Sequence, residues 1–133
     1  MNTNKFVDLH IHSTFSDGVL TPTEIVHHAK KENIQLIALT DHDTISGIEP
    51  FLAEAEKENI PALYGIEFSC QMNGRLLHVL GYNFDRNNPE ILRLLNNFKA
   101  INSRINKKRL CNYEKEYGYT IDFANFPERG NIT

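Results

Sequence analysis

Hydrophobic and polar residues change their spacing several times along the chain, and each change predicts an element of secondary structure. The run Phe6–Ser13 alternates, with Phe6, Asp8, His10 and His12 on one side, which predicts a strand with a polar, functional face. The sequence Thr-Pro-Thr-Glu at positions 21–24 then predicts a helix start with a capping box, and helical spacing continues to about residue 33. The short apolar run Leu36–Thr40 predicts a second, buried strand.

The rest of the chain shows signals of the same kinds. Apolar residues at helical spacing after Ser46, or after Glu49-Pro50, predict a second helix, which contains Ile48, Phe51, Leu52 and Ala55. Two further strands are predicted over 61–69 and 76–84. Asn88-Pro89 then predicts the start of a long helix that runs to about residue 117 and ends before a glycine. The patterning of residues 119–133 is weak.

The predicted order is strand, helix, strand, helix, strand, strand, helix. Two strand–helix units in succession favour a parallel sheet or barrel, an α/β fold. In such folds the chemistry lies at the carboxyl ends of the strands. His10, His12 and the run Thr40–Asp43 all lie at or near predicted strand ends, and Glu67 lies near the end of another. We therefore expect these side chains to meet at one edge of the sheet.

Composition narrows the class of protein. The 133 residues are enough for one domain or part of one, and a net charge of −3 excludes a broad basic field for long nucleic acid. That charge does not exclude a nucleotide or a short oligonucleotide held by metals. Two cysteines are too few for a disulfide framework and suggest a cytoplasmic protein. No apolar run approaches the roughly 20 residues of a membrane span, and the polar N-terminus does not resemble a signal peptide.

Histidines at the strand ends are the first candidate ligands. His10 and His12 are two residues apart on a strand, so both imidazoles point to the same face and can reach one metal ion. Taken alone the pair is a weak signal, since two polar residues on a wet sheet face would look the same. The flanking apolar residues favour the metal site, because burying unpaired imidazoles is costly.

Carboxylates near these histidines strengthen the metal hypothesis. Asp17-Gly18 follows in a loop, where an ordinary turn is the simpler interpretation. His42 lies between Asp41 and Asp43 directly after a buried strand. Two carboxylates around a histidine suit a ligand whose tautomer is fixed by its neighbours. The alternative is that Asp43 or Thr44 caps the next helix.

Two further polar residues interrupt apolar strands. Glu67 lies within an otherwise apolar run, and a buried glutamate needs a partner, which is either a pair of metal ions or a salt bridge with Arg75. His78 lies in the next strand, where a lone histidine is more often a core residue. Its position on the strand that follows Glu67 favours the metal interpretation. Mixed nitrogen and oxygen donors of this kind suit Zn, Mn or Fe.

Other polar residues suggest less. His27 and His28 lie in mid-helix beside lysines and are interpreted as surface or packing residues. Cys70 and Cys111 have no spacing that indicates chemistry. The basic residues of the long helix either form a solvated face or contact a phosphate group, and the candidates for that contact are Arg104, Lys108 and Arg109.

Five segments together resemble a known family. Asp-Leu-His-Ile-His-Ser, Asp17-Gly18, Thr-Asp-His-Asp, Gly-Ile-Glu-Phe-Ser and His-Val-Leu-Gly-Tyr resemble, in that order, the first motifs of the PHP (polymerase and histidinol phosphatase) domain over roughly residues 6–84. The long helix is similar to that of stand-alone PHP phosphoesterases, which include nucleoside 3′,5′-bisphosphate phosphatases and 5′-to-3′ exoribonucleases. The resemblance implies a distorted (βα)7 TIM-like barrel with two or three divalent metal ions in the complete protein.

The resemblance also implies residue roles. His10 and His12 would hold one metal, Glu67 would bridge to a second held by His78, and Asp17 and His42 would serve a third. Catalysis would be phosphoester hydrolysis by a metal-bound hydroxide, with Asp41 or Asp43 orienting His42. The substrate would be a phosphorylated small molecule or the 5′ end of a short nucleic acid.

The family completes its site with later ligands, and this chain has no histidine after His78. We therefore expect residues 5–86 to form the N-terminal part of the metal-binding domain and residues 87–133 to form a helical insert, with the rest of the barrel absent. A half-barrel has an unpaired strand edge, which predicts self-association. The alternatives are a histidinol-phosphate phosphatase and a non-catalytic metal-binding or polymerase-accessory module.

Overall fold

The computed structural model describes residues 6–118 and residue 120, and this part of the chain forms four strands and three helices. The sequence-based order of elements is confirmed, with boundaries that differ by a few residues. In chain order the elements are β1 (Phe6–Ile11), α1 (Pro22–Lys31), β2 (Ile34–Leu39), α2 (Ile48–Lys57), β3 (Ala62–Met72), β4 (Arg75–Tyr82) and α3 (Pro89–Tyr117).

The four strands form one sheet in the order β1-β2-β3-β4. The first three strands are parallel, because each is joined to the next by a helix that returns the chain to the same end of the sheet. β4 is antiparallel to β3, since only a short hairpin connects them. The carboxyl ends of β1, β2 and β3 therefore lie along one edge, as expected for an α/β half-barrel.

The hairpin between β3 and β4 turns at Asn73 and Gly74, which both have positive φ angles of 52° and 76°. Asn-Gly is the preferred pair for a two-residue turn of this kind, because both central residues must adopt left-handed conformations. The turn lets β3 extend to Met72, three residues beyond the predicted end, and places His78 opposite Ser69.

Helices α1 and α2 cover one face of the sheet. The predicted capping box of α1 is present, since the Thr21 hydroxyl accepts the Glu24 backbone N–H and the Glu24 carboxylate accepts the Thr21 backbone N–H at 2.8 Å. The apolar face of α1 packs mainly on β2 and that of α2 mainly on β3, and the two helices also pack against each other. The resulting core consists of Ile25, Val26, Ala29, Ile37, Leu39, Phe51 and Ala55.

Tyr82 at the end of β4 reaches across the inside of the curved sheet, where its hydroxyl donates to the Leu9 carbonyl of β1 at 2.6 Å. Gly65 makes room for this crossing. A Cβ atom at Gly65 would lie 2.9 Å from the Tyr82 ring and 2.8 Å from the Gly81 carbonyl oxygen. This hydrogen bond ties the two edge strands together.

Helix α3 begins as predicted, with the Asn88 side chain accepting the Glu90 N–H at 2.9 Å, and ends before Gly118, which has a left-handed conformation. Leu95 is buried, but Ile101 and Ile105 on the predicted apolar face are 48% and 41% exposed. The second half of α3 is therefore largely exposed. The predicted weakly patterned tail, residues 119–133, lies outside the described residues apart from residue 120. Among the described helices, none combines the length and apolarity needed to cross a membrane.

Candidate metal centre

Glu67 lies at the centre of a cluster of imidazoles. Its Oε2 atom is 2.7 Å from His10 Nε2 and 2.8 Å from His12 Nε2, and its Oε1 atom is 2.9 Å from His78 Nδ1. The Glu67 side chain is only 5% exposed. The carboxylate therefore has one oxygen toward the β1 histidines and the other toward β4. Among the described ion pairs, every partner of Glu67 is a histidine, and none is the alternative partner Arg75.

A second group of ligands joins the same cluster from two loops. His12 Nδ1 is 2.6 Å from Asp17 Oδ1. His42 Nε2 lies 3.8 Å from Asp17 Oδ2 and 3.6 Å from Glu67 Oε2, so it connects the two carboxylates. The cluster contains three sets of potential ligands, and within each set the ligand atoms lie within 4.8 Å of one another. The sets are His10–His12–Glu67, His12–Asp17–His42 and His42–Glu67–His78.

The backbone explains why residues so distant in sequence meet. His10 and His12 leave the carboxyl end of β1, and His42 follows β2 and forms an isolated parallel bridge with Glu67 of β3. The Asp43 N–H donates to the Glu67 carbonyl, and the Glu67 N–H donates to the Asp41 carbonyl. The continuation of β2 is thus held against β3 at the level where Glu67 projects inward.

The electrostatics favour ionised carboxylates in the cluster. Burial raises the pKa of the Glu67 carboxyl, but the hydrogen bond from His10 and the charge of the nearby imidazoles outweigh burial and hold that pKa below its ordinary value. Burial also raises the pKa of Asp17, and the hydrogen bond and charge of His12 again reverse the effect, so that this pKa is lowered too. Both side chains are therefore anionic oxygen donors at neutral pH.

Two observations test whether these residues fit a metal ion. The donor set combines imidazole nitrogens with carboxylate oxygens, as Zn, Mn and Fe sites do. In addition, the buried Nδ1 atom of His42 has no hydrogen-bond partner within the described part of the chain. An unpartnered buried ring nitrogen is costly unless something else binds it. The residues fit a site for divalent cations.

A second group of potential metal ligands differs from this cluster, because its carboxylates are paired with lysines. His27 Nε2 lies 2.8 Å from Glu54 Oε1, and Glu58 is nearby, so three potential ligands again converge. Here, however, Lys57 Nζ lies 2.9 Å from Glu54 Oε1, and Lys30 contacts Glu58. Lysines already neutralise these carboxylates, which agrees with the interpretation of His27 as a surface residue.

The contacts of Asp41 and Asp43 differ from the predicted ones. We expected one of them to orient His42, but Asp41 accepts the Ser13 N–H at 2.6 Å and Asp43 Oδ1 accepts the Ser69 N–H at 2.8 Å. Neither carboxylate bonds to the His42 ring among the described contacts, because each is directed to a neighbouring backbone segment. In this structure the two carboxylates hold the surrounding loops, and the role of orienting His42 stays a prediction.

The predicted phosphate-binding residues Arg104, Lys108 and Arg109 lie on the exposed second half of α3. The structure brings the six predicted ligands together, but none of the contacts described for this part of the chain joins these basic residues to the cluster. Sequence reasoning missed Ser13 and Ser16, which bond to Asp41. Both serines follow His12 directly or closely, but a serine in a loop carries no signal of its own.

The fold and the cluster together define an α/β protein with a candidate divalent-cation site at the carboxyl edge of its sheet. The sequence pattern of the PHP domain matches residues 8–126. Because this match covers most of the chain, the chain belongs to the PHP domain family, as the sequence motifs predicted.

Individual proteins agree with this assignment. The chain is 44% identical over 100 residues, 75% of its length, to a 5′-3′ exoribonuclease of Haemophilus influenzae. It is 40% identical over 85 residues, 64% of its length, to a 3′,5′-nucleoside bisphosphate phosphatase of Chromobacterium violaceum. These matches cover 36% and 30% of the two relatives, so the chain spans about a third of their length.

A solved structure shows the same fold. A protein of Bifidobacterium adolescentis, described as a candidate metal-dependent phosphoesterase, superimposes with a TM-score of 0.87 and 27% identity. The match covers 96% of this chain and 46% of that one. The prediction that the chain forms part of a PHP fold is therefore confirmed.

Proposed function

We propose that this chain supplies the first part of the active site of a metal-dependent phosphoesterase. The observation that carries the proposal is the position of Glu67, a buried carboxylate with both oxygens within 3 Å of histidines from two different strands. A carboxylate that faces ligands on both sides is suited to bridging two cations, as two-metal hydrolysis of phosphate esters requires. The names of the two curated relatives support the same class of reaction.

The proposed ligand roles follow the three convergent sets. His10, His12 and Glu67 would hold one divalent ion, and Glu67, His78 and His42 would hold a second. Asp17 would join His12 and His42 around a third position. When bound, such ions polarise phosphoryl oxygens and lower the pKa of water. The chain's own residues make these donors ready for a cation. Glu67 and Asp17 remain ionised, and the strand ends fix the positions of the imidazoles.

The proposed substrate is a nucleotide phosphate or the 5′ end of an RNA. The relatives named as an exoribonuclease and a nucleoside bisphosphate phosphatase support this class. A net charge of −3 argues against long nucleic acid, since no broad basic surface would hold it. Arg104, Lys108 and Arg109 remain proposed phosphate contacts, and Mn, Zn or Fe remain the proposed metals.

The direct test is a panel of substrates with the natural protein that carries these residues, loaded with Mn²⁺ or with Zn²⁺. We expect release of phosphate from a nucleoside 3′,5′-bisphosphate, or of mononucleotides from a 5′-phosphorylated RNA. A His10→Ala/His12→Ala variant would lose this activity, because two ligands are removed. Preference for histidinol phosphate would favour the alternative phosphatase, and a folded, metal-loaded protein that hydrolyses none of these would be a non-catalytic module.

Three smaller proposals concern the chain as a whole. We propose that residues 87–133 are a helical insert that follows a metal-binding part formed by residues 5–86. Both cysteines are free, which supports a cytoplasmic location. The edge strands β1 and β4 are exposed along most of their length, which supports self-association through an edge.

A further inference from the structure

The loop between β1 and α1 carries the ligand Asp17, and two serines fasten this loop to the end of β2. Ser13 donates its N–H to Asp41 Oδ1 at 2.6 Å and its hydroxyl to Asp41 Oδ2 at 2.7 Å. Ser16 donates its hydroxyl to Asp41 Oδ1 at 2.6 Å. One carboxylate thus receives three hydrogen bonds from a single short loop.

Because the Asp41 carboxylate is buried, it depends on these three hydrogen bonds. Asp41 is 2% exposed, Ser13 is fully buried, and Ser16 is 6% exposed. A buried carboxylate without partners is strongly unfavourable, so the three donors are needed to keep Asp41 in place. No lysine or arginine neutralises Asp41 among the described ion pairs, and the loop itself supplies the compensation.

Two glycines allow the loop and the helix to approach this closely. A Cβ atom at Gly18 would lie 2.1 Å from the His12 carbonyl oxygen, so only glycine lets the loop fold back on the end of β1. A Cβ atom at Gly47 would lie 2.8 Å from Asp41 Oδ2, so a larger residue before α2 would displace the carboxylate. The loop therefore has little room to take another position.

The network continues into the ligand set. The Ser16 hydroxyl also lies 3.2 Å from Asp17 Oδ1, and that oxygen is 2.6 Å from His12 Nδ1. The single proton of the Ser16 hydroxyl is shared between Asp41 Oδ1, which is closer, and Asp17 Oδ1, so a path of contacts runs from Asp41 through Ser16 and Asp17 to His12. In the opposite direction, the Asp41 carbonyl accepts the Glu67 N–H at 3.2 Å.

We infer that Asp41 and Ser16 are positioning residues that set where Asp17 stands relative to His12 and Glu67. Asp41 does so with two parts of its structure, since its side chain holds the Asp17 loop and its carbonyl holds Glu67. Loss of the Ser16 hydroxyl would remove one of the two side-chain hydrogen bonds described for Asp17 Oδ1 and so weaken the position of this carboxylate beside His12. This inference rests on the proposed metal-dependent function, because Asp17 matters only as a ligand.

The test is a titration of the metal-free chain with Co²⁺, followed by visible absorption, which reports ligand geometry as well as affinity. The variants are Ser16→Ala, Asp17→Asn and the double variant. Ser46→Ala is the matched control, since Ser46 is an exposed loop serine whose side-chain bond is to Thr44 rather than to Asp41. Circular dichroism confirms that each variant is folded.

We expect Ser16→Ala to weaken Co²⁺ binding about tenfold and to change the absorption spectrum, as loss of an outer partner of a ligand commonly does. In the Asp17→Asn background the same change should have no further effect, because Ser16 acts through Asp17. A merely structural role for Ser16 would lower stability equally in both backgrounds and leave the spectrum unchanged.

The outcomes separate this inference from the proposed function. If the wild-type chain binds no Co²⁺, the proposed function fails and the inference fails with it. If the wild-type chain binds Co²⁺ and Ser16→Ala binds it as Ser46→Ala does, only the positioning role is wrong. An equal loss on removing Ser16 with and without the Asp17 carboxylate would also contradict that role.

Discussion

At the scale of single residues, Glu67 shows how contacts with imidazoles offset the unfavourable burial of a carboxylate. A buried carboxylate is unfavourable alone, yet three imidazoles lie within hydrogen-bonding distance of its oxygens. These contacts keep it ionised, which the lowered pKa of Glu67 reflects. The same contacts are those a metal ion would replace, so the metal-free site is stabilised by the groups that bind metal.

This balance predicts a dependence on pH. The folded-state pKa of Glu67 is lowered, so its contribution to stability is present above the unfolded-state pKa of about 4.3 and is lost as pH falls through the folded-state value. We expect Glu67→Gln to lower the free energy of unfolding of the metal-free chain by about 2 kcal/mol at pH 7 and by less at pH 3.5. Urea unfolding at the two pH values measures both differences, and equal differences would contradict the assignment.

At the scale of elements, local signals were sufficient for most of the fold. Thr21, Pro22 and Glu24 gave the start of α1, and Asn88 gave the start of α3. The hairpin was the main omission, although Asn73-Gly74 is a strong turn signal, because the predicted third strand ends at residue 69, three residues before the end of β3. Which faces would be buried could not be predicted for α3, since that depends on what packs against it.

The capping box of α1 gives a prediction at this scale. Thr21→Ala removes the hydroxyl that accepts the Glu24 N–H, and we expect a loss of about 1 kcal/mol in the free energy of unfolding. Thr23→Ala is the matched control, because Thr23 lies inside the first turn and alanine is the better helix former there. Chemical denaturation of both variants measures the difference. A loss as large for Thr23→Ala as for Thr21→Ala would contradict the capping role.

For the site, the sequence predicted which side chains converge better than it predicted the contacts that support them. His10, His12, Asp17, His42, Glu67 and His78 converge, because alternation along strands and the parallel order of β1 to β3 determine where their side chains project. The partners of Asp41 could not be predicted, since a hydrogen bond between residues 28 positions apart depends on how the loop closes. Arg104, Lys108 and Arg109 were assigned from charge alone, which does not determine direction.

At the scale of the whole molecule, the exposed apolar surface is the dominant feature. Phe6 and Val7 on β1 are 55% and 57% exposed, and Val79 on β4 is 50% exposed. Within the described sheet these two strands are the edges, so backbone donors and acceptors lie beside apolar side chains. Edges of this composition pair readily with other strands.

We therefore predict that the purified chain self-associates in a concentration-dependent manner. Val7→Lys should shift it toward monomer, because a charge on an edge strand opposes pairing. Val19→Lys is the control, since Val19 is 89% exposed in the loop that follows β1 and belongs to neither edge strand. Light scattering coupled to size-exclusion chromatography measures the mass. A wild-type chain that is monomeric at all concentrations would show this prediction to be wrong.

The central claim, that Glu67 organises a divalent-cation site, is tested most directly by metal content. The chain, Glu67→Gln and Glu54→Gln are each stripped, reloaded with Mn²⁺ or Zn²⁺, desalted and measured by elemental mass spectrometry. Glu54 is the matched control, because it also lies beside a histidine but is paired with a lysine. We predict at least one ion per chain in the wild type and in Glu54→Gln, and at least a tenfold loss in Glu67→Gln. Equal metal in all three proteins would contradict the claim.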